Sequence, residues 1–171
     1  MTVEFVPIIG HQPGLIAALL RASYSELVQA EPQWAREQMN WEGYDREVFA
    51  CPDSVGACLF LTRLEGRIAG FASWDARQRP AYIIGHNCIL PEFRRKGLGR
   101  QQIEEILRRF CRLDARTARV STNDHPFFAP AQRLYLACGF QEVQRTNWDR
   151  DPRRKIIEYE KNLAVAVGGD R

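Results

Sequence analysis

Apolar and other residues alternate over Val3–Ile8, a period of two that predicts a strand. Pro13 then opens a stretch with Leu15/Ile16, Leu19/Leu20 and Leu27/Val28 on one face, which predicts a helix. A second helical stretch is expected from Gln33 to Phe49, interrupted near Gly43 and ended by Cys51-Pro52-Asp53. Ala57–Leu64 and Arg67–Trp74 read as two strands joined at Glu65-Gly66, a hairpin. Tyr82–Leu90 reads as another strand, with Gly85 in its interior. Ile103, Ile106, Leu107, Phe110 and Leu113 form one helical stripe. Ala118–Thr122 is a short buried strand, and Ala129–Cys138 a short helix that Gly139 stops. Phe140–Asn147 and Lys155–Leu163 are two more strands, joined through Asp149–Arg154. The predicted order is β-α-α-β-β-β-α-β-α-β-β. Repeats, low-complexity segments and long linkers are absent from the sequence, so residues 1–163 read as one domain and 164–171 as a frayed tail.

Composition narrows the class without choosing a function. Of 171 residues, 45% are apolar and 26% charged, ordinary for a globular domain with a sizeable core. The net charge of +3 and the scattered arginines argue against a nucleic-acid partner. The apolar runs are too short for a membrane span and Met1-Thr2-Val3-Glu4 does not start a signal peptide, so a cytoplasmic location is expected. The five cysteines include no C-x-x-C, and with three scattered histidines they give no metal-ligand spacing; no metal is expected.

The chemistry concentrates in Arg94-Arg95-Lys96-Gly97-Leu98-Gly99-Arg100, between the Tyr82–Leu90 strand and the helix that follows. Strand, basic glycine loop, helix: this order aims backbone N–H groups and a helix N-terminus at one point, where an anion such as pyrophosphate binds. Gly97 and Gly99, lacking Cβ atoms, permit close approach and unusual φ/ψ. A Walker loop does not fit, and in G-x-G-x-x-G the third glycine is replaced by Gln102. What remains is Arg-x-x-Gly-x-Gly at Arg94, Gly97 and Gly99. Further along the chain stands Ala131-x-x-Leu134-Tyr135-x-x-x-Gly139-Phe140.

These two motifs, on the right elements and in the right order, resemble those of the GNAT superfamily of acetyl-CoA-dependent N-acetyltransferases, and the resemblance covers nearly the whole chain. It implies an α/β (α+β) fold: a mixed, mostly antiparallel twisted sheet of about seven strands with about four helices, splayed between the fourth and fifth strands. It implies acetyl-CoA as acyl donor, and a primary amine of a small molecule or peptide as acceptor, attacked directly. A homodimer is compatible with it. The amides of Arg95, Lys96, Gly97, Leu98, Gly99 and Arg100, with Arg94 heading the motif, would hold the pyrophosphate. A bulge at Gly85 would bend the strand away from Ala118–Thr122 and offer backbone groups of Asn87, Cys88 and Ile89 to the amide-bearing pantetheine arm.

Tyr135 is the expected acid. A phenol with an unperturbed pKa of about 10 stays protonated at neutral pH and can donate to a leaving thiolate. Its helical spacing equally suits a core residue. The family often places a Glu base at the position of Asn123 here, and an Asn seven residues before the tyrosine, where this chain has Phe128. Asn123 has no base character, and Phe128 would meet the cofactor only by apolar packing. His86, beside the expected thioester site, is the candidate base, since an imidazole with a reference pKa of about 6.5 suits an ammonium substrate. A satisfied structural histidine is the competing reading. Tyr24, Trp34, Trp41, Tyr44 and Trp148, with Glu37, Glu42 and Asp45, could form an aromatic and acidic wall for a cationic acceptor, although Trp34, Trp41 and Val48 recur with core spacing. Two alternatives stay open: a CoA-binding regulatory module without catalysis, favoured by the missing Glu, and a dinucleotide-binding domain, disfavoured by Gln102.

Overall fold

A computed structural model describes residues 2–163; the tail expected to fray lies outside the described residues. Seven strands form one sheet in the order β1-β2-β3-β4-β5-β7-β6. They are β1 (Val3–Val6), β2 (Leu59–Leu64), β3 (Arg67–Asp75), β4 (Ala81–Ile89), β5 (Thr117–Asn123), β6 (Gln141–Trp148) and β7 (Asp151–Asn162). β1–β2, β2–β3, β5–β7 and β6–β7 pair antiparallel, and β4–β5 parallel. Five α-helices accompany them: α1 (Leu15–Ser23), α2 (Ser25–Ala30), α3 (Glu37–Ala50), α4 (Leu98–Arg112) and α5 (Ala129–Ala137). The expected mixed sheet is present, with one more helix than the hydrophobic pattern gave. No helix among the described residues is long and apolar enough to cross a membrane.

Four local departures separate the structure from the predicted pattern. The single helix expected after Pro13 is two, broken at Tyr24, where the backbone leaves helical geometry. The interruption expected near Gly43 does not occur; α3 runs straight through it, since an isolated glycine costs a helix only about 1 kcal/mol relative to alanine. A 3-10 turn over Pro32–Arg36 replaces its predicted beginning. The Asp149–Arg154 connection is shorter than expected, because β7 already starts at Asp151. Elsewhere the local chemistry behaves as the sequence dictates. Glu65 and Gly66 both have positive φ (49° and 75°), the geometry of a two-residue hairpin turn. Gly139, at φ 83°, ends α5.

The chain forms two compact units: one through Ser73 together with His86–Gln102, the other Trp74–Gly85 together with the chain from Ile103. In the first, Ile16, Leu20, Trp41, Val48, Leu61 and Phe71 make the main apolar cluster. The α1 N-terminus has no side-chain cap of its own. Buried Asp45, from α3, supplies one: its carboxylate accepts the N–H groups of Gly14 (2.7 Å), Ile16 (2.9 Å) and Ala17 (3.2 Å). A second cluster joins Leu64, Ala69, Phe93 and Leu98, fixing the start of α4. In the other unit, Phe110 packs edge-on to Tyr82 (centroids 5.1 Å apart) and Trp74 (6.3 Å). There β5 pairs with β7 along its whole length.

Candidate functional site

The glycine loop is entered through a 3-10 turn at Pro91–Phe93, and α4 begins at Leu98. Between them Arg95 has φ 59° and Gly97 φ 77°. Left-handed backbone at both positions turns the chain sharply into the helix. It makes the glycine at 97 a conformational requirement, because a side chain there is strained whatever space surrounds it. Arg95, Lys96, Gly97 and Arg100 are exposed. Lys96 and Arg67 lie over the buried Phe93 ring at 5.4 and 5.0 Å, so the loop is cationic on an apolar footing. Exposed cations beside a helix N-terminus fit a polyanion such as a pyrophosphate.

Beneath the loop, Leu98 and Gln102 are buried on the i, i+4 face of α4. Gln102 Nε2 donates to Thr62 Oγ1 (2.8 Å) and to the Cys88 carbonyl (3.2 Å). The place of a dinucleotide loop's third glycine is thus taken by a side chain that ties α4 to β2 and β4. The sequence carried a trace of this role: Gln102 falls on the same face as Leu98 and Ile106.

On β4, the parallel ladder with β5 runs from Ala81↔Thr117 to Ile84↔Val120 and ends there, while β4 continues to Ile89 and β5 to Asn123. The ladder stops directly before Gly85. Cys88 turns its carbonyl toward Gly70, where an added Cβ would meet it at 2.0 Å, so only glycine fits at 70. The Ile89 carbonyl accepts Arg94 Nε at 3.2 Å. Burial pushes the Cys88 thiol up to about 11, which keeps it protonated and non-nucleophilic at neutral pH.

His86 is part-buried, its ring 5.0 Å from Tyr44 and 6.4 Å from Phe71. Its carbonyl accepts from Ser73 Oγ at 3.1 Å. Burial lowers the imidazole pKa, so the neutral, proton-accepting form prevails at pH 7. The same desolvation pushes the Tyr44 phenol up to about 12, although its hydrogen bond with Ser73 opposes this. Several members of the expected acceptor wall have structural partners. Trp41 is a core residue stacked on Tyr24 (5.2 Å), Asp45 caps α1, and Glu42 pairs with Arg21 at 3.2 Å.

In the second unit, Tyr135 is 3% exposed, its ring 6.1 Å from Phe140 and 5.7 Å from Tyr159. Asn123, 5% exposed at the end of β5, accepts the His125 N–H through Oδ1 (2.8 Å), while its carbonyl accepts Gln132 Nε2 (3.0 Å). The Asn123 Nδ2 donor is buried without a protein partner. His125 Nδ1 accepts the Phe127 N–H at 3.1 Å. The part-buried Phe128 packs edge-on against Phe127 (5.1 Å).

The site is thus a seven-stranded mixed sheet whose fourth and fifth strands pair over only part of their length, with a cationic glycine loop heading the helix between them. The GNAT acetyltransferase domain profile matches residues 56–142, just over half of the chain, so the chain belongs to the GNAT family of acetyl-CoA-dependent N-acetyltransferases. Its fold matches a protein assigned to the GNAT acetyltransferases from Desulfovibrio desulfuricans (TM-score 0.77, 17% identity, 95% of this chain and 100% of that one). It also matches RimL, a ribosomal L7/L12 α-N-protein acetyltransferase solved with coenzyme A (TM-score 0.74, 14% identity, 96% of each chain). A third likeness is to the PaiA N-acetyltransferase of Thermoplasma acidophilum, also solved with coenzyme A (TM-score 0.68, 12% identity, 95% of this chain and 99% of that one). A search of curated proteins gave no match.

Proposed function

We propose that this enzyme transfers the acetyl group of acetyl-CoA to a primary amine of a small molecule or peptide by direct nucleophilic attack. The observation that carries the reading is the left-handed turn at Arg95 and Gly97 leading into α4 at the family's pyrophosphate motif. In this reading the amides of Arg95–Arg100 bind the pyrophosphate. Asn87 and Ile89, whose backbone groups alternate to the edge opposite that of Cys88, receive the pantetheine arm. Asn123 Nδ2, a buried donor needing an acceptor, contributes a hydrogen bond to the arm, and Phe128 contributes only packing. His86 takes the proton from the incoming ammonium, directly or through one water, and Tyr135 gives a proton to the departing thiolate. A Cys88 thiol held protonated speaks against an acyl-cysteine route.

Likenesses whose names state a substrate support an amine acceptor of either size. They include the ribosomal-protein-S18-alanine N-acetyltransferase of Escherichia coli and a nourseothricin acetyltransferase. The family match runs through both compact units, which supports reading residues 1–163 as one domain acting as a whole. A cytoplasmic location belongs to the same reading. Thermal shift with acetyl-CoA, CoA, NAD and NADP tests the donor, since a ligand of the native state raises Tm. The expected result is a rise with the two CoA species only. Release of CoA thiol on adding a panel of primary amines then tests turnover; stabilisation by acetyl-CoA without release from any amine would favour a non-catalytic CoA-binding module.

A further inference from the structure

Arg94 heads the glycine motif, yet its side chain is directed at the protein. Nε donates to the carbonyl of Ile89, the last residue of β4 (3.2 Å). Nη2 donates to the carbonyl of Ser23, the last residue of α1, at 2.6 Å. Nη1 lies 3.6 Å from Glu26 Oε2, in the first turn of α2. All four residues belong to the same compact unit. The Ser23 carbonyl is where it is because the helix breaks: in an uninterrupted helix it would accept the Leu27 N–H. The hydrophobic stripe from Leu15 to Val28 asks for one helix, and Arg94 takes a carbonyl at the point where the structure has two. A guanidinium suits this task, having five donors in a rigid fork and a charge favoured at a helix C-terminus. The next residue, Arg95, has the φ of 59° that starts the loop's turn.

We infer that Arg94 is a positioning residue: it locks the α1–α2 break to the entrance of the glycine loop, and its guanidinium serves Ser23, Glu26 and Ile89 instead of the phosphates of the cofactor. This rests on the proposed reading of the loop as the CoA site. The loop amides that follow are aimed by this anchor, so cofactor affinity depends on Arg94 through geometry. A charge contact and a positioning role predict different behaviour. A phosphate contact is replaceable by another cation and adds to the salt dependence of binding. A three-way anchor cannot be replaced by an ammonium, which lacks the fork.

The test is CoA affinity by calorimetry across a range of salt concentrations, for wild type, Arg94→Lys, Arg94→Gln and Glu26→Gln. Arg94→Lys and Arg94→Gln should both weaken CoA about tenfold, the size of one lost charge-assisted hydrogen bond, with the wild-type salt slope retained. Glu26→Gln alters a largely exposed carboxylate and leaves the fold intact; it should weaken CoA by no more than about threefold, again with the slope unchanged. Hydrogen exchange without ligand should show faster exchange at Ser23–Leu27 in Arg94→Gln. Full affinity in Arg94→Lys with a shallower salt slope in Arg94→Gln would overturn the inference in favour of a phosphate contact. Wild-type affinity in all three variants would overturn it as well. Wild-type protein that does not bind CoA would refute the loop reading itself, an outcome distinct from any difference between variants.

Discussion

The glycine loop and the segment from Asn123 to Phe140 carry the two motifs of the family, and they are built in opposite ways. In the loop, the side chains of Arg95, Lys96 and Arg100 face solvent, and the distinctive property is in the backbone, two left-handed residues ahead of a helix N-terminus. In the second segment the property is in side chains: Tyr135, Asn123 and His125 are 3, 5 and 9% exposed and packed or hydrogen-bonded locally. A backbone site tolerates few residue types and so leaves a mark in the sequence. A buried tyrosine leaves none, because a core and a proton donor ask for the same residue.

Substitution at Gly97 strikes the backbone site hardest. Gly97→Val puts a β-branched residue at φ 77° and should lower acetyl-CoA affinity by about 100-fold or more while the rest of the fold persists, as titration calorimetry on the folded variant would report. An unchanged affinity would mean that the turn is not what holds the anion. In the side-chain site, Tyr135→Phe keeps the ring against Phe140 and Tyr159 and removes only the hydroxyl. Turnover should fall roughly ten- to a thousand-fold with acetyl-CoA affinity little changed. If turnover holds while chemistry limits the rate, Tyr135 is a core residue and the contrast between the two segments ends there.

His86 offers a smaller and sharper effect. Burial lowers its pKa, so the neutral base is present at pH 7 and is lost only as pH falls below the usual histidine range, about 6.5. The acid limb of the rate–pH profile should therefore lie below that value, and His86→Gln should remove it without loss of cofactor binding. A variant with the wild-type profile would return the proton to solvent or to Asp124 or His125. The smallest effect on chemistry is expected at Asp45, whose carboxylate only supports the scaffold. Asp45→Ala strands three N–H groups at the start of α1 and should cost about 1–3 kcal/mol in denaturant unfolding, with kcat unaltered in the protein that remains folded.

Legibility followed the same division. The succession of strands along the chain, the hairpin at Glu65-Gly66, the α5 stop at Gly139 and the family itself were readable, because periodicity and glycine placement act locally. The break at Tyr24 was not, because the stripe from Leu15 to Val28 is continuous and what accompanies the break is Arg94, 70 residues away. The cap of α1 was hidden for the same reason: it comes from Asp45 on another helix, while Pro13-Gly14 offers no capping side chain. For Gln102 the sequence shows an absent glycine and a shared face with Leu98 and Ile106, but not its partners. Its bonds to Thr62 and Cys88 depend on strands distant in sequence. The roles of His86 and Tyr135 stayed open because their environments suit both structure and chemistry.

Hydrogen exchange of the wild-type protein with and without acetyl-CoA tests the central claim most directly. The account predicts strong, ligand-dependent protection of the amides of Arg95–Arg100, accompanied by protection at Asn87 and Ile89. Saturating acetyl-CoA that stabilises the protein yet leaves the exchange of Arg95–Arg100 unaltered would contradict it.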